Sequence, residues 1–217
     1  MASNMIHYAV SKRIAERIFV GDLERFYFGA SILPDASSHN DGSYDRSHFK
    51  ARTMDNSLKG IDWRRFEQKY GCKFDEDRIY LGYWCHLVED AMWLHDVVDK
   101  YVRIYSRDIR GAYYQKGCAD YIKLNYLLQK KYDLEVPSFS KLNVPIEEVR
   151  EDMVLTMVNA FQGHFDAEEC EKSNLELYSW NVIISYIEKC AEFCIHEIEA
   201  MRAGKERVEP QKFYVTP

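Results

Sequence analysis

Positive charge is in short supply in this chain. Its 29 Lys and Arg stand against 35 Asp and Glu, for a formal net charge of −6. General nucleic-acid binding draws most of its affinity from a basic footprint, so that class is set aside. A nucleotide or another small phosphorylated molecule is still admissible as a ligand. Long apolar runs are also missing: the stretch Leu177 to Ile187 is uncharged but far short of the roughly 20 residues that cross a bilayer. No transmembrane segment is expected. Met1 to Val10 shows no basic segment leading into an apolar one, so no secretory signal is expected either. None of the six cysteines forms a Cys-x-x-Cys pair, which argues against a zinc knot or a thioredoxin-like centre. Cys190 and Cys194, four apart in a helical pattern, read as buried apolar groups. The expected setting is cytoplasmic, with reduced thiols.

What is present suits one helical domain. The 217 residues, 47% hydrophobic, are enough for a sizeable single core. Ile6, Val10, Ile14 and Ile18 recur every fourth residue and predict a first helix ending near Gly21. Asp22 caps a second helix that runs to Leu33 and is closed by Pro34. From Asp35 to Asn56 the sequence is polar and without period, which predicts a long loop, and loops of that length are often functional. Further helices are predicted at 58–70, 75–105, 108–132, 145–161 and 174–203, with Gly204 as a C-terminal stop. The expectation is an all-α multi-helix domain over residues 1–204, followed by an irregular tail over 205–217.

Two helical metal motifs are absent: His-Glu-x-x-His, which a zincin needs, and the Glu-x-x-His of ferritin-like di-iron bundles. In their place stands His86-x-x-x-Asp90, in Tyr80-Leu-Gly-Tyr-Trp-Cys-His-Leu-Val-Glu-Asp90. A spacing of four puts imidazole and carboxylate on one helix face, where both can reach one zinc. Gly82 lies one turn earlier on the same stripe, useful where another backbone or a ligated metal must come close. Asp35 follows the helix-closing Pro34, and His48 lies in the polar loop.

These segments, Ile6-His7-Tyr8, Phe26-Tyr-Phe-Gly-Ala-Ser-Ile-Leu-Pro-Asp35, Ser47-His48-Phe49 and Tyr80 to Asp90, resemble the zinc-dependent phospholipase C and S1/P1 nuclease family, in its shorter bacterial branch. The resemblance covers about the first hundred residues. It implies an all-α fold of that type and phosphoester hydrolysis by a metal-activated water, with one to three zinc ions or other divalent metals. By the same resemblance Asp35, His48, His86 and Asp90 hold one zinc, and Asp90, as the catalytic bridge, reaches a second metal at His7. Secreted members bind that metal through an N-terminal tryptophan; Met1-Ala-Ser-Asn supplies none. For the family's remaining zinc the nearest candidates are His95, Asp96 and the pair His164-x-x-x-Glu168. On a straight helix, however, His95 would point opposite to His86. Asp96 is better aimed, and Gly163 and Asp166 interrupt the helix that His164 and Glu168 would need, so His95 and His164 are expected to be structural, His39 to lie in a loop near the site, and His196 to be structural.

If the chain is extended around His48, Arg46, Lys50 and Arg52 share its side, a cationic lining suited to a small phosphorylated substrate. A solvated basic stripe paired with acids is the equal alternative. Two other functions compete with the phosphoesterase. An HD-type phosphohydrolase would use His95-Asp96, the only His-Asp dipeptide, together with His48 and Asp120. A non-catalytic helical protein would keep the metal as a structural element.

Overall fold

Several helices in this chain start where a short polar side chain accepts a backbone amide of the first turn. The computed structural model describes residues 2–217. In it, Ser3 caps α1 (Asn4–Arg17), Asp22 caps α2 (Leu23–Ser31) and Asp77 caps α5 (Arg78–Trp93). Between α2 and α5 lie a short helix α3 (Ser43–Ser47), strands β1 (Lys50–Arg52) and β2 (Lys59–Ile61), and α4 (Trp63–Tyr70), capped by Asp62. A π turn over Leu94–Val98 and a short α6 (Asp99–Tyr101) prolong α5. The remaining long helices are α7 (Arg107–Tyr132), α8 (Glu151–Gly163) and α9 (Trp180–Arg202), the last capped by Ser179. The described residues are mostly helical, with a two-stranded antiparallel ribbon beside the helices.

α5 is the axis of the fold. Every residue from Ile79 to Trp93 is buried, as befits a helix that is apolar nearly all round. Its most extensive partner is α2, while α1 packs against α9 and α2. The α2–α5 crossing is close because glycine faces backbone on both sides. A Cβ on Gly82 would stand 2.1 Å from the Phe26 carbonyl oxygen, and one on Gly29 2.1 Å from that of Ile79. The close approach that Gly82 permits is thus to a neighbouring backbone. Aromatic stacks complete the core, among them Phe66 on Tyr83 with ring centroids 4.7 Å apart.

The structure departs from the sequence expectations at several boundaries. Part of the predicted loop and the start of the predicted 58–70 helix form the hairpin, with Lys50 opposite Ile61 and Arg52 opposite Lys59. The tail, expected to be irregular, forms a turn at Pro210–Phe213 and then bridges to the ribbon: Val215 exchanges backbone hydrogen bonds of 2.8 and 2.9 Å with Lys59. Gly60 makes room for the Tyr214 ring there, since a Cβ would meet it at 2.2 Å. α8 and α9 begin later than the pattern suggested, at Glu151 and Trp180. No described helix is long and apolar enough to cross a membrane.

Candidate metal centre

Three helices and one loop deliver ionisable side chains to a single point in the core. His7 comes from α1, His86, Glu89 and Asp90 from α5, Asp35 from the turn after α2, and His48 from the C-terminal end of α3. His7, His48, His86, Glu89 and Asp90 are fully buried, and the Asp35 side chain is 16% exposed. The polar loop is held in place for this purpose. Ser47 Oγ donates to the Pro34 carbonyl at 2.8 Å, and the Tyr83 hydroxyl of α5 donates to the Ser47 carbonyl at 2.6 Å. Phe49 then takes a left-handed φ of 47° to turn the chain from α3 into β1, a strained conformation directly after His48.

Each histidine has one nitrogen committed and the other aimed at the centre. His86 Nδ1 donates to the Ala30 carbonyl at 2.8 Å, and His48 Nδ1 to the Tyr44 carbonyl at 3.0 Å. His7 Nδ1 donates to the Glu89 carboxylate at 2.6 Å. Such outer partners fix the tautomer and leave Nε2 with its lone pair free for a cation. His48 Nε2 lies 3.4 Å from His86 Nε2, 3.3 Å from Asp90 Oδ2 and 3.4 Å from Asp35 Oδ1. His86 Nε2 is 3.3 Å from Asp90 Oδ2 and 3.9 Å from Asp35 Oδ1. Donors about 2.0–2.1 Å from a tetrahedral zinc stand about 3.3 Å from one another, so this spacing already has the dimensions of a zinc cage.

The other oxygen of Asp90 faces the opposite way. Oδ1 is 3.5 Å from His7 Nε2 and accepts the Ala2 backbone amide at 3.2 Å. Two overlapping donor groups result, Asp35–His48–His86 and His7–His86–Asp90, each with all ligand atoms within 4.8 Å. The two groups share His86, and Asp90, a member of the second, also faces the first through the Oδ2 contacts with His48 and His86, so its two oxygens are placed as those of a bridging carboxylate would be. Asn4 completes the surround, donating from Nδ2 to Asp35 Oδ2 at 3.0 Å and so leaving Oδ1 to face the cluster.

Acids and bases in the cluster shift one another's titration strongly. Burial drives the Asp90 carboxyl toward the neutral form, yet His86, His48 and His7 together hold its pKa well below the ordinary range. Asp35 is lowered in the same way, against burial, by His86 and His48. Burial likewise opposes the charged form of His7, but the nearby Asp90 carboxylate and the bond to Glu89 raise the pKa to about 10. His48 is raised against burial by Asp35 and Asp90, and the Glu89 carboxyl is raised by burial. Buried polar atoms nevertheless lack hydrogen-bond partners at the centre, notably His7 Nε2 and Asp90 Oδ2. Orphaned donors in a nitrogen and oxygen set of this kind fit a divalent cation such as zinc.

Other candidates fall elsewhere. The π turn breaks the straight helix on which His95 and Asp96 were placed. His95 pairs with Asp96 at 2.9 Å, and Asp96 also binds Lys189 at 2.6 Å and Lys100 at 3.2 Å, so neither enters the cluster. His164 and Glu168 line a cavity that Ala2 and Asn4 also border, but neither belongs to the donor groups. Asp120 accepts the backbone amides of Glu176, Leu177 and Tyr178 at 2.8–2.9 Å, a structural duty. The extended run expected from Arg46 to Arg52 is helical up to Ser47, so Arg46 does not share a face with Lys50 and Arg52. His39 packs on the Tyr44 ring, which in turn packs on His48, at centroid distances of 3.8 and 4.1 Å. The His196 side chain is 71% exposed, beside Glu197. Glu89 and Asn4 are the participants that sequence reasoning overlooked. For Glu89 a signal existed: a carboxylate on the most buried helix needs a partner. Comparison with protein-family models, with curated proteins and with solved structures finds no match to this chain.

Proposed function

We propose that the protein is a metal-dependent hydrolase acting on phosphoester bonds, with a fold of the phospholipase C and P1 nuclease type. The observation that carries this reading is the division of Asp90 between two donor groups, Oδ2 toward His48 and His86 and Oδ1 toward His7. Asp35, His48, His86 and Asp90 would hold one zinc or similar divalent ion, and His7 with Asp90 a second. A divalent ion there supplies Lewis-acid polarisation of a phosphoryl oxygen and lowers the pKa of a coordinated water toward about 7. The chain's own residues do the rest. Ala30, Tyr44 and Glu89 orient the three imidazoles through Nδ1. The partly exposed Asp35 marks the side from which a substrate phosphoryl group approaches, while the apolar faces of α1 and α5 exclude water elsewhere. The six free cysteines agree with a cytoplasmic setting for such an enzyme.

A structural metal is the second reading, favoured by the near-complete burial of the cluster. Metal analysis with an activity assay separates the two. Two tightly bound transition-metal ions per chain, and zinc-dependent hydrolysis of an aryl phosphate that Asp90→Asn abolishes, are expected. One ion per chain, with no turnover of phosphomonoesters, phosphodiesters or phospholipids, would overturn the proposal in favour of the structural site. The HD-type alternative has no geometric support, because His95-Asp96, His48 and Asp120 do not converge.

A further inference from the structure

Like charges face each other on the ribbon beside the metal centre. Arg52 on β1 and Lys59 on β2 are directly opposed in the antiparallel register, so their side chains share one face. Lys50, two residues before Arg52, shares that face too. Opposed like charges destabilise a strand pair unless something lies between them. Asp45 pairs with Lys50 at 3.2 Å, but its carboxylate is 69% exposed, and among the described residues neither Arg52 nor Lys59 forms an ion pair. The reverse face of the ribbon is already covered, since Tyr214 packs on Gly60. The cationic face instead lines a cavity of about 510 Å³ whose far wall includes Leu94, one helical turn beyond Asp90. Burial together with Arg103, Arg52 and Lys50 lowers the pKa of Lys59 against the pull of Asp45, the acid that lines the cavity with Lys50 and Arg52.

Lys50, which lines this cavity, is one buried ring away from the metal centre: its Nζ lies 4.2 Å over the Tyr44 ring, and that ring packs at a tilt against His48 with centroids 4.1 Å apart. We propose that Lys50, Arg52 and Lys59 form a subsite for a second phosphoryl group, so that the substrate is a small molecule bearing two phosphates, one at the metal centre and one on the ribbon. The proposal rests on the hydrolase reading for the first phosphate and on the ribbon alone for the second. The Tyr44 ring sets the separation of the two groups, and the short β1–β2 face excludes a long polymer backbone as the occupant.

Calorimetric titration of zinc-treated protein with propane-1,3-bisphosphonate and with propylphosphonate, neither of them hydrolysable, tests this. The bisphosphonate is expected to bind at least about tenfold more tightly, the worth of one further set of charge-assisted hydrogen bonds. In the Arg52→Gln/Lys59→Gln double variant the two affinities should converge, with zinc content and propylphosphonate affinity unchanged. Lys205→Gln, an exposed charge loss in the tail, should leave the preference intact. Equal affinities in the wild type, or a preference that survives in the double variant, would overturn the subsite. A wild type that is inert toward aryl phosphate yet keeps a ribbon-dependent preference loses the hydrolase reading and retains the subsite. An active enzyme without the preference does the reverse.

Discussion

Replacing Gly82 with alanine tests whether the α2–α5 crossing is what holds the metal ligands in register. The new methyl carbon would stand 2.1 Å from the Phe26 carbonyl oxygen and 2.9 Å from the Ala30 amide nitrogen. To restore an ordinary 3.4 Å contact the two helices must part by about 1.3 Å. Forced overpacking of this kind costs about 1–3 kcal/mol. The move also stretches the 2.8 Å bond from His86 Nδ1 to the Ala30 carbonyl, worth about another 1 kcal/mol. Better helix propensity returns about 1 kcal/mol. The net loss of about 1–3 kcal/mol should lower Tm by roughly 2–12 °C in a domain of this size. Because Ala30 orients His86, metal affinity should fall as well, by about 10–100-fold. Calorimetric Tm and zinc competition titrations measure both effects. Gly111→Ala on α7, where no atom lies within 4 Å of the added carbon, serves as the control and should be neutral or stabilising. An unchanged or higher Tm for Gly82→Ala, with unchanged zinc affinity, would refute the reasoning.

Asp77 caps α5 and binds Arg25 of α2 at 2.6 Å; burial raises its pKa, but these partners outweigh it and hold the value below the ordinary one. Its stabilisation is therefore full above about pH 4 and lost as pH falls below it, so Asp77→Asn should narrow the gap between denaturant melts at pH 7 and pH 3. Asp120→Ala strands three backbone amides ahead of α9 and should cost more than about 3 kcal/mol in chemical denaturation. Metal uptake should release protons, because His7, raised to about 10 by Asp90 and Glu89 against burial, carries a proton near neutrality when no cation is bound, and His48 is shifted in the same direction. Zinc affinity must then climb as pH rises from 6 to 8, and a flat profile would contradict that exchange.

How far the sequence carried depended on whether a signal was local. Helix starts at Asp22 and Asp108 and the end of α7 at Tyr132 fall within a residue or so of the observed bounds, since capping and period act over a few residues. His86 and Asp90 announce themselves by a spacing of four on one helix, and Asp35 by its place after Pro34. The hairpin was invisible because strands of three residues show no alternation, and its pairing with Val215 joins segments far apart in sequence. The π turn likewise has no sequence mark, yet it decides where His95 and Asp96 point. Arg46 was misplaced for a related reason. The single turn of α3 depends on bonds such as Ser38 N–H to Ser43 Oγ, at 2.7 Å, rather than on any period.

The position of the cluster is itself an argument about its purpose. α5 would pack at least as well with apolar residues at His86, Glu89 and Asp90, because replacing buried ionic groups by well-packed apolar ones is often neutral or stabilising by about 1–4 kcal/mol. Here three imidazoles and two carboxylates are fully buried together, and orphaned atoms are left among them. Their bonds across α1, α2 and α5 satisfy only part of this polar surface, while the glycines at 29 and 82 bring the backbones close enough for Ala30 to reach His86. A buried cluster of this kind, built with committed Nδ1 atoms and convergent Nε2 atoms, supports the proposed cation site. The division of Asp90 then bears on what that cation is for. A purely structural ion needs one closed shell of four donors, which Asp35, His48, His86 and Asp90 could complete without His7. The buried His7–Glu89 pair, poised on the second oxygen of Asp90, has no place in that shell, and it is the feature a structural metal leaves unexplained.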